Sequence, residues 1–554
     1  MRKNKTVFQL ERFRNMKHKM TLQGVLVGLL TGIVVGLFRL VIEKADMIRT
    51  SYMLPLIGGG RIWMLIVIVM VIAFFVYILA KWQPLASGSG IPQVKAELRG
   101  QLKQPVYKLL FAKFTGAVLA IGAGLSIGRE GPSIQLGALV GKGYSRATRQ
   151  LPVEEKMLLT CGAGAGLAGA FCAPFSGAVF ALEELHKNFS VDVLVSTMAA
   201  CISANFVSAY IFGLDPVFDL SIPHRLPLKQ YWILLLMGIL LGLLGNVYNN
   251  LMMKALRTYD KLPKPLAIGA AFALAILVMT FMPQALGGGH SIVGQIAHGE
   301  FELCYGILDN KIGTSILISL IIFFIVKLIF SAISFGSGVA GGIFLPLLVL
   351  GAIVGGIFGE AYNQINGTQE LYIANFVIFG MVGMFSAIVG APATGIILIT
   401  EMTGDLQNFF PLVIVGLISY IVADGTGTSP IYDLLLDRLM SKNNEKDNMS
   451  DEEEIAYQSK LKKRASKKVI IESDVYIGSP ADGNKIMELA LPPGSLVISL
   501  VRHGKEIIPS GETIIRGGDY LVVLCAEDYQ NAVFEKLDEL CKTVAYDDID
   551  KANL

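Results

Sequence analysis

The sequence predicts a polytopic α-helical membrane protein with an internal repeat and broken helices, followed by a small α+β domain. Three observations carry this reading: an apolar composition with long hydrophobic runs, two sequence blocks that recur in order, and an abrupt change of composition after Met440. Of the 554 residues, 53% are hydrophobic and only 16% charged. Soluble domains carry about 25% charged residues. Mean hydropathy is +0.58.

Taken in order, residues 1–20 hold seven Lys/Arg against one acid, Glu11. Basic flanks stay on the cytoplasmic side, so this N-terminal segment is expected there. Apolar runs follow at 23–41, 61–80, 194–213, 231–247, 264–282, 312–333 and 408–423. A helix needs roughly 20 apolar residues to span the hydrocarbon. The first run is too long for a signal-peptide core and lacks a cleavage site, so it is read as a helix. The stretch 93–113 reads as a second basic cytoplasmic loop, with Lys95, Arg99, Lys103, Lys108 and Lys113. Other apolar segments (116–127, 132–141, 343–358) are short and broken by glycine. Irregular backbone at membrane depth survives only inside protein or along a cavity.

The repeat is visible by eye. "PSIQLGALVG" (132–141) matches "PLLVLGAIVG" (346–355) at an offset of 214, and "APFSGAVFALE" (173–183) matches "APATGIILITE" (391–401) at an offset of 218. Residues 21–440 therefore form a membrane domain of two homologous halves. Paired broken helices favour an inverted relation between them.

Three glycine-rich bends lead into apolar helices: "SGSGIP" (87–92), "GREGP" (128–132) and "GSGVAGGIFLP" (336–346). A helix start exposes up to four free N–H groups and about half a positive charge, which suits an anion. Glycine permits close backbone approach, proline in the first turn needs no N–H partner, and Ser89 adds a hydroxyl donor. Glu130 lies within the second bend. A carboxylate is itself an anion, so it can compete for such a site until a proton neutralises it. An acid at membrane depth is a functional candidate by default.

"GSGIP" (Gly88, Ser89, Gly90, Ile91, Pro92), "GREGP" (Gly128, Arg129, Glu130, Gly131, Pro132) and "GIFLP" (Gly342, Ile343, Phe344, Leu345, Pro346) resemble the three signature motifs of the CLC chloride channels and transporters. Leu345 departs mildly, since the family has a smaller residue there. "SPIYDLLLDRL" (429–439) resembles the family's final helix, with Tyr432 in the place of its anion-contacting tyrosine. The resemblance covers about residues 20–440. It implies the CLC fold with an inverted repeat, and a homodimer with one pathway per subunit. It also implies a central chloride among Ser89, Gly90, Tyr432 and the Ile343 and Phe344 amides, with Glu130 as the gate.

Glu183 and Glu184 bear on mechanism. The repeat pairs Glu183 with Glu401, which suggests a shared capping or helix-contact role, whereas Glu184 falls opposite Met402. The family's exchangers use a glutamate at the place of Glu184 for internal proton transfer, and its channels typically lack it. A chloride/proton antiporter is therefore the expected function. A solvated acid at a helix end, beside His186 and Lys187, is the bland alternative for Glu184. A passive chloride channel remains the alternative function. A fluoride exporter ranks lower, because Ser89, Pro132 and Tyr432 keep the chloride pattern.

Beyond Met440, residues 441–466 read as a charged, partly helical linker and 467–545 as a soluble domain, with 546–554 a tail. "SLVISLVRHG" and "DYLVVLCA" are strand-like, with turns at His503-Gly504 and Gly517-Gly518. Val533, Leu537 and Leu540 share one face of a final helix. The run P-x-G-x-T-x-I-x-x-G-D-x-L (509–521) is similar to the RCK_C (TrkA-C-like) regulatory domain. That likeness implies a dimerisation module, with a cyclic dinucleotide or nucleotide as ligand or, as the alternative, without one; the long apolar spans before it place it on the cytoplasmic side by expectation. Such domains usually accompany cation transporters, so a cation/proton antiporter is a further alternative. Helix-start amides argue against it, because a cation needs carbonyls or acid clusters.

Nothing points to an enzyme, a cofactor, a metal or a nucleic-acid partner. The six cysteines are scattered without metal spacing and read as buried or idle thiols. "GAGLSIG" (122–128) and "GALVGKG" (137–143) miss the nucleotide-binding patterns. The expected partners are chloride, protons, the lipid bilayer and a second copy of the chain.

Overall fold

The computed structural model describes residues 3–541, apart from 188–189, 219, 221, 223, 306–309, 312–314, 368–371, 447–467, 477, 503–504 and 527–528. Most of the linker, the His503-Gly504 turn and the tail 546–554 thus lie outside the described residues. The chain divides into two compact units, Met1–Ser441 and Lys442–Leu554.

The first unit is helical. It opens with α1 (Lys3–Ile48), which runs on as π-helix through Arg49–Met53. Then come α2 (Pro55–Gly58), α3 (Ile62–Trp82), the short α4 (Ile91–Leu98), α5 (Val106–Gly122), α6 (Glu130–Ala147) and α7 (Pro152–Phe171). Next are α8 (Pro174–Phe180), extended as π-helix by Ala181–His186, and α9 (Val191–Phe212). The second half comprises α10 (Trp232–Asp260), α11 (Lys264–Phe281), the short α12 (His290–Ala297), α13 (Ile316–Gly336), α14 (Phe344–Asn366), α15 (Ile373–Val389), α16 (Pro392–Thr403) and α17 (Phe409–Gly425). Helix α18 (Ile431–Lys446) follows. Among the described residues, α1 from His18 onward, α3, α9, α10, α11, α13 and α14 are long and apolar enough to cross a membrane.

The repeat is expressed as paired elements: α4 with α12, α5 with α13, α6 with α14, α7 with α15, and α8 with α16. Small residues let the helices touch, as membrane packing requires. A side chain on Gly137 would strike the Gly162 carbonyl between α6 and α7, and one on Gly351 would strike the Gly380 carbonyl between α14 and α15. Those glycines keep the offsets of 214 and 218.

One expectation needs correction. The 93–113 stretch is largely not a loop: 93–98 lie in α4 and 106–113 in α5, and Lys95 and Lys113 are fully buried. Only Arg99, Lys103 and Lys108 remain of its basic face. The first apolar run is helical as expected, and it lies within a 46-residue helix because the polar residues before it stay helical.

Lys113 is buried because its amine has work for its donors. It donates to the Ala86 (3.0 Å) and Gly88 (2.6 Å) carbonyls in the bend before α4. Its repeat equivalent Lys327 donates to the Ala285 (2.8 Å) and Gly287 (2.7 Å) carbonyls before α12.

The second unit is a four-stranded antiparallel sheet in the order β3-β6-β4-β5, with β3 Lys468–Asp474, β4 Leu496–Arg502, β5 Lys505–Ile507 and β6 Tyr520–Ala526. The hairpin β1 (Cys304–Tyr305) and β2 (Asn310–Lys311) belongs to the first unit. A final helix, α19 (Gln530–Cys541), buries Val533 and Leu537 against Ile471, Leu500, Leu521 and Val523, with Leu540 partly buried at its edge. Gly518, at φ +88°, makes the turn into β6 as expected. Asp519 receives a two-point contact from Arg502: Nε donates to Oδ1 (2.8 Å) and Nη2 to Oδ2 (2.6 Å).

Candidate anion and proton site

The three glycine-rich bends are joined through backbone. The Gly128 amide donates to the Gly342 carbonyl (2.6 Å) and the Gly342 amide to the Gly128 carbonyl (2.8 Å). These residues are repeat equivalents, so the two halves meet as an antiparallel pair about their own pseudo-twofold axis. The Gly88 amide donates to the Val339 carbonyl (2.9 Å), and the Gly341 amide returns to the Gly88 carbonyl (3.1 Å). Helices α4, α6 and α14 therefore start around one point, with Pro92, Pro132 and Pro346 in their first turns.

Local geometry explains the glycines. Gly90 caps α4 at φ +98°, a left-handed conformation that side chains resist. Gly131 lets α6 start against the first bend: a Cβ there would lie 2.5 Å from the Ser89 hydroxyl and 2.7 Å from the Ser89 carbonyl.

Within this junction, Ser89, Ile91, Glu130, Ile343, Phe344 and Tyr432 are all buried. Neither carboxylate oxygen of Glu130 has a hydrogen-bond partner of normal geometry. The Arg129 guanidinium and the amides of Glu130 and Leu345 supply the attraction around it. The Ser89 and Tyr432 hydroxyls are also buried without completed bonds. Glu184 and Glu130 are electrostatic neighbours of the Tyr432 hydroxyl, and the Ser89 hydroxyl lies beside it. Two orphaned hydroxyl donors beside first-turn amides suit an anion, since each would otherwise leave a costly unmet bond. Arg129 is shared with Glu43, whose Oε1 lies 3.7 Å from Nη1. Arg129 and Glu43 line a cavity of about 450 Å³, as do Gly128 and Leu345 beside Glu130.

Glu184 is not a solvated helix-end acid; it is 2% exposed. The π-helical turn after α8 directs it inward, where the Lys95 amine donates to Oε1 at 2.6 Å. The same amine donates to Asp433 Oδ1 at 2.7 Å, and Lys187 pairs with the other oxygen of Asp433. Glu183 turns the opposite way. It accepts from the Ala393 (3.1 Å) and Thr394 (2.7 Å) amides at the start of α16. Reciprocally, Glu401 accepts from the Phe175 (3.0 Å) and Ser176 (2.8 Å) amides at the start of α8. The capping role expected from the repeat is thus present in both halves.

From the sequence, Lys95 and Lys113 read only as cations of a surface loop, and Asp433 and Lys327 carry no reading at all. A signal existed for Lys113 and Lys327: lysines within apolar helices, 214 positions apart. Lys95 and Asp433 carry no such mark, because their meeting depends on three elements far apart in the chain. Among the described residues no cluster of metal-binding side chains occurs, and Cys161, Cys172, Cys201 and Cys525 are free thiols.

Apolar spans arranged around a buried junction of helix starts define a multi-pass membrane transport protein. The chain belongs to the CLC family: the family model described as "Voltage gated chloride channel" matches residues 71–424. A TrkA-C domain model matches residues 470–538. The "H(+)/Cl(-) exchange transporter ClcA" of Vibrio parahaemolyticus is 32% identical over 435 residues, covering 76% of this chain and 89% of that protein. The solved structure of "a slow cyanobacterial Cl-/H+ antiporter" superposes with a TM-score of 0.70 at 28% identity, covering 77% of this chain and 99% of that one. A "CLC-type fluoride/proton antiporter" matches with a TM-score of 0.60 at 22% identity, covering 75% and 97%, a likeness of fold alone.

Proposed function

We propose that this protein exchanges chloride for protons across the cell membrane, with Glu130 as the gate and Glu184 as the internal proton-transfer group. The observation that carries the reading is the pair of buried carboxylates flanking the orphaned Ser89 and Tyr432 hydroxyls. Chloride binds at the helix starts of α4, α6 and α14, through Ser89, Gly90, Tyr432 and the Ile343 and Phe344 amides. Ionised Glu130 competes for the same amides; protonated Glu130 yields them. One side chain thereby ties proton occupancy to chloride occupancy. The relatives named as H(+)/Cl(-) exchangers and the cyanobacterial Cl-/H+ antiporter support this reading.

The proposal extends to a homodimer with one pathway per subunit and to cytoplasmic termini. It also includes a cyclic dinucleotide or other nucleotide on the TrkA-C domain. Such a ligand biases transport only through unequal affinity for two transport states. The decisive test is chloride-driven proton movement in proteoliposomes. Glu184→Gln should stop proton flux and keep chloride flux, and Glu130→Ala should uncouple the two. Persistent proton flux in Glu184→Gln would refute the assignment.

A further inference from the structure

Lys95 is a fully buried cation at the inner end of α4, the helix whose start carries Ser89 and Gly90. Its amine is shared between Glu184 (2.6 Å) and Asp433 (2.7 Å). Asp433 directly follows Tyr432 in the first turn of α18. One ammonium therefore links the acid proposed to carry protons to the two helices that carry the proposed anion-binding hydroxyls. Exposure rises outward across the cluster, from Lys95 (0%) and Glu184 (2%) through Asp433 (21%) to Arg99 (44%) and Lys187 (45%). Asp433 thus connects the buried pair to solvent.

We propose that Lys95 is a positioning residue for exchange: it divides its charge between Glu184 and Asp433, and so couples the protonation of Glu184 to the seating of α4 and α18. This rests on the exchanger reading above. With Glu184 ionised, Lys95 is held by two carboxylates and draws α4 toward the turn 181–186 and toward α18. When Glu184 takes a proton, that attraction lapses. The positive charge of Lys95 is then balanced by Asp433 alone, which Lys187 and, at 4.0 Å, Arg99 also claim. The freed positive charge sits behind Ser89 and Tyr432, where it favours an arriving anion. Proton and chloride loading from this side thereby reinforce each other.

The remaining charged groups nearby do not take over this role. Glu183 is turned to α16, and His186 meets Thr160 of α7 at 2.7 Å. Lys156 of α7 acts on His186, and Asp437 of α18 lies behind Asp433. Of the paired helix α12, the equivalent of Lys95 is Gly294, so the repeat does not require a lysine here.

The test uses the full-length protein in proteoliposomes, with chloride and proton flux recorded together against internal pH. Variants are Lys95→Met, Lys95→Arg and Asp433→Asn. An opposite charge within a few ångströms shifts a carboxylate by about one pH unit or more. Lys95→Met should therefore move the midpoint of proton flux about one unit to higher pH and lower the protons moved per chloride. Lys95→Arg should restore both. Asp433→Asn removes a competing acid and leaves Lys95 to Glu184, so its midpoint should move to lower pH. Opposite signs from the two flanks are what mere structural damage cannot produce. Equal midpoints in wild type and Lys95→Met, or shifts of the same sign in Lys95→Met and Asp433→Asn, would overturn the proposal. No proton flux in the wild type would overturn the exchanger reading itself, and this one with it.

Discussion

A buried carboxylate has to be compensated, and three acids in this chain meet that demand differently. Glu130 is buried with no completed hydrogen bond, the arrangement expected of a group that trades places with an anion rather than one that holds the fold. Glu184 is compensated by a single buried ammonium. Asp519 is satisfied by the Arg502 fork and by the Arg516 amide at 2.8 Å. Burial alone would push the Asp519 carboxyl up, but these donors hold it below its ordinary range. The sign follows: its contribution to the stability of the C-terminal sheet is present above about pH 4, the unfolded value, and is lost as pH falls through the lower folded value. Asp519→Asn should cost about 2 kcal/mol near neutrality and should flatten this acid dependence. Amide hydrogen exchange in β3, β4 and β6 of the intact protein reads both effects; unchanged protection at neutral pH would show the fork to be idle. The motif position of Asp519 was legible in the sequence, but its partner was not, since Arg502 lies 17 residues away at the end of β4, while Asp519 sits in the turn before β6.

At the scale of elements, the starts of α8 and α16 are held by acids from each other's half. Glu183 receives two amides and the Thr394 hydroxyl (2.7 Å), and Glu401 receives two amides and the Ser176 hydroxyl (2.5 Å). Charge-assisted caps of this kind are stronger than neutral ones and complement the helix dipole. Glu183→Gln and Glu401→Gln should each cost about 1–2 kcal/mol, seen as a lower unfolding midpoint in detergent. If only one of the two variants melts early, the pair does not act as a symmetric clamp. This pairing was readable because both acids close the same motif, A-P-x-[ST]-G-x5-E. The stretch 93–113 departs from its charge pattern for the opposite reason. Five cations in 21 residues look like a surface loop, yet a lysine on a helix can turn inward when carbonyls or carboxylates await its amine. Charge pattern locates a membrane flank only where the side chains reach water.

For the whole molecule, the repeat separates scaffold from chemistry. Matched pairs build the frame: Gly128 with Gly342, Pro132 with Pro346, Lys113 with Lys327, and Glu183 with Glu401. The side chains proposed for transport have no match in the repeat: Glu130 falls opposite Phe344, Glu184 opposite Met402, Ser89 opposite Gly288 and Lys95 opposite Gly294. Phe344 instead packs between Phe171 (5.3 Å) and Phe385 (4.8 Å), an apolar plug where the other half has an acid. This division predicts different outcomes for the two buried lysines. Each supports two carbonyls, so Lys113→Met and Lys327→Met should lower the unfolding midpoint alike, each costing about 2 kcal/mol for two lost hydrogen bonds. Their effects on transport should diverge. Lys113 fixes the Gly88 carbonyl, one residue from the Ser89 hydroxyl and within the backbone junction to 339–341. Lys327 fixes the bend that carries Gly288, which offers no hydroxyl. Chloride flux per correctly folded protein should therefore fall several-fold in Lys113→Met and stay near wild type in Lys327→Met. Equal loss of flux in both would mean that the second bend also contributes to the anion path, and the separation of scaffold from chemistry would fail at that point.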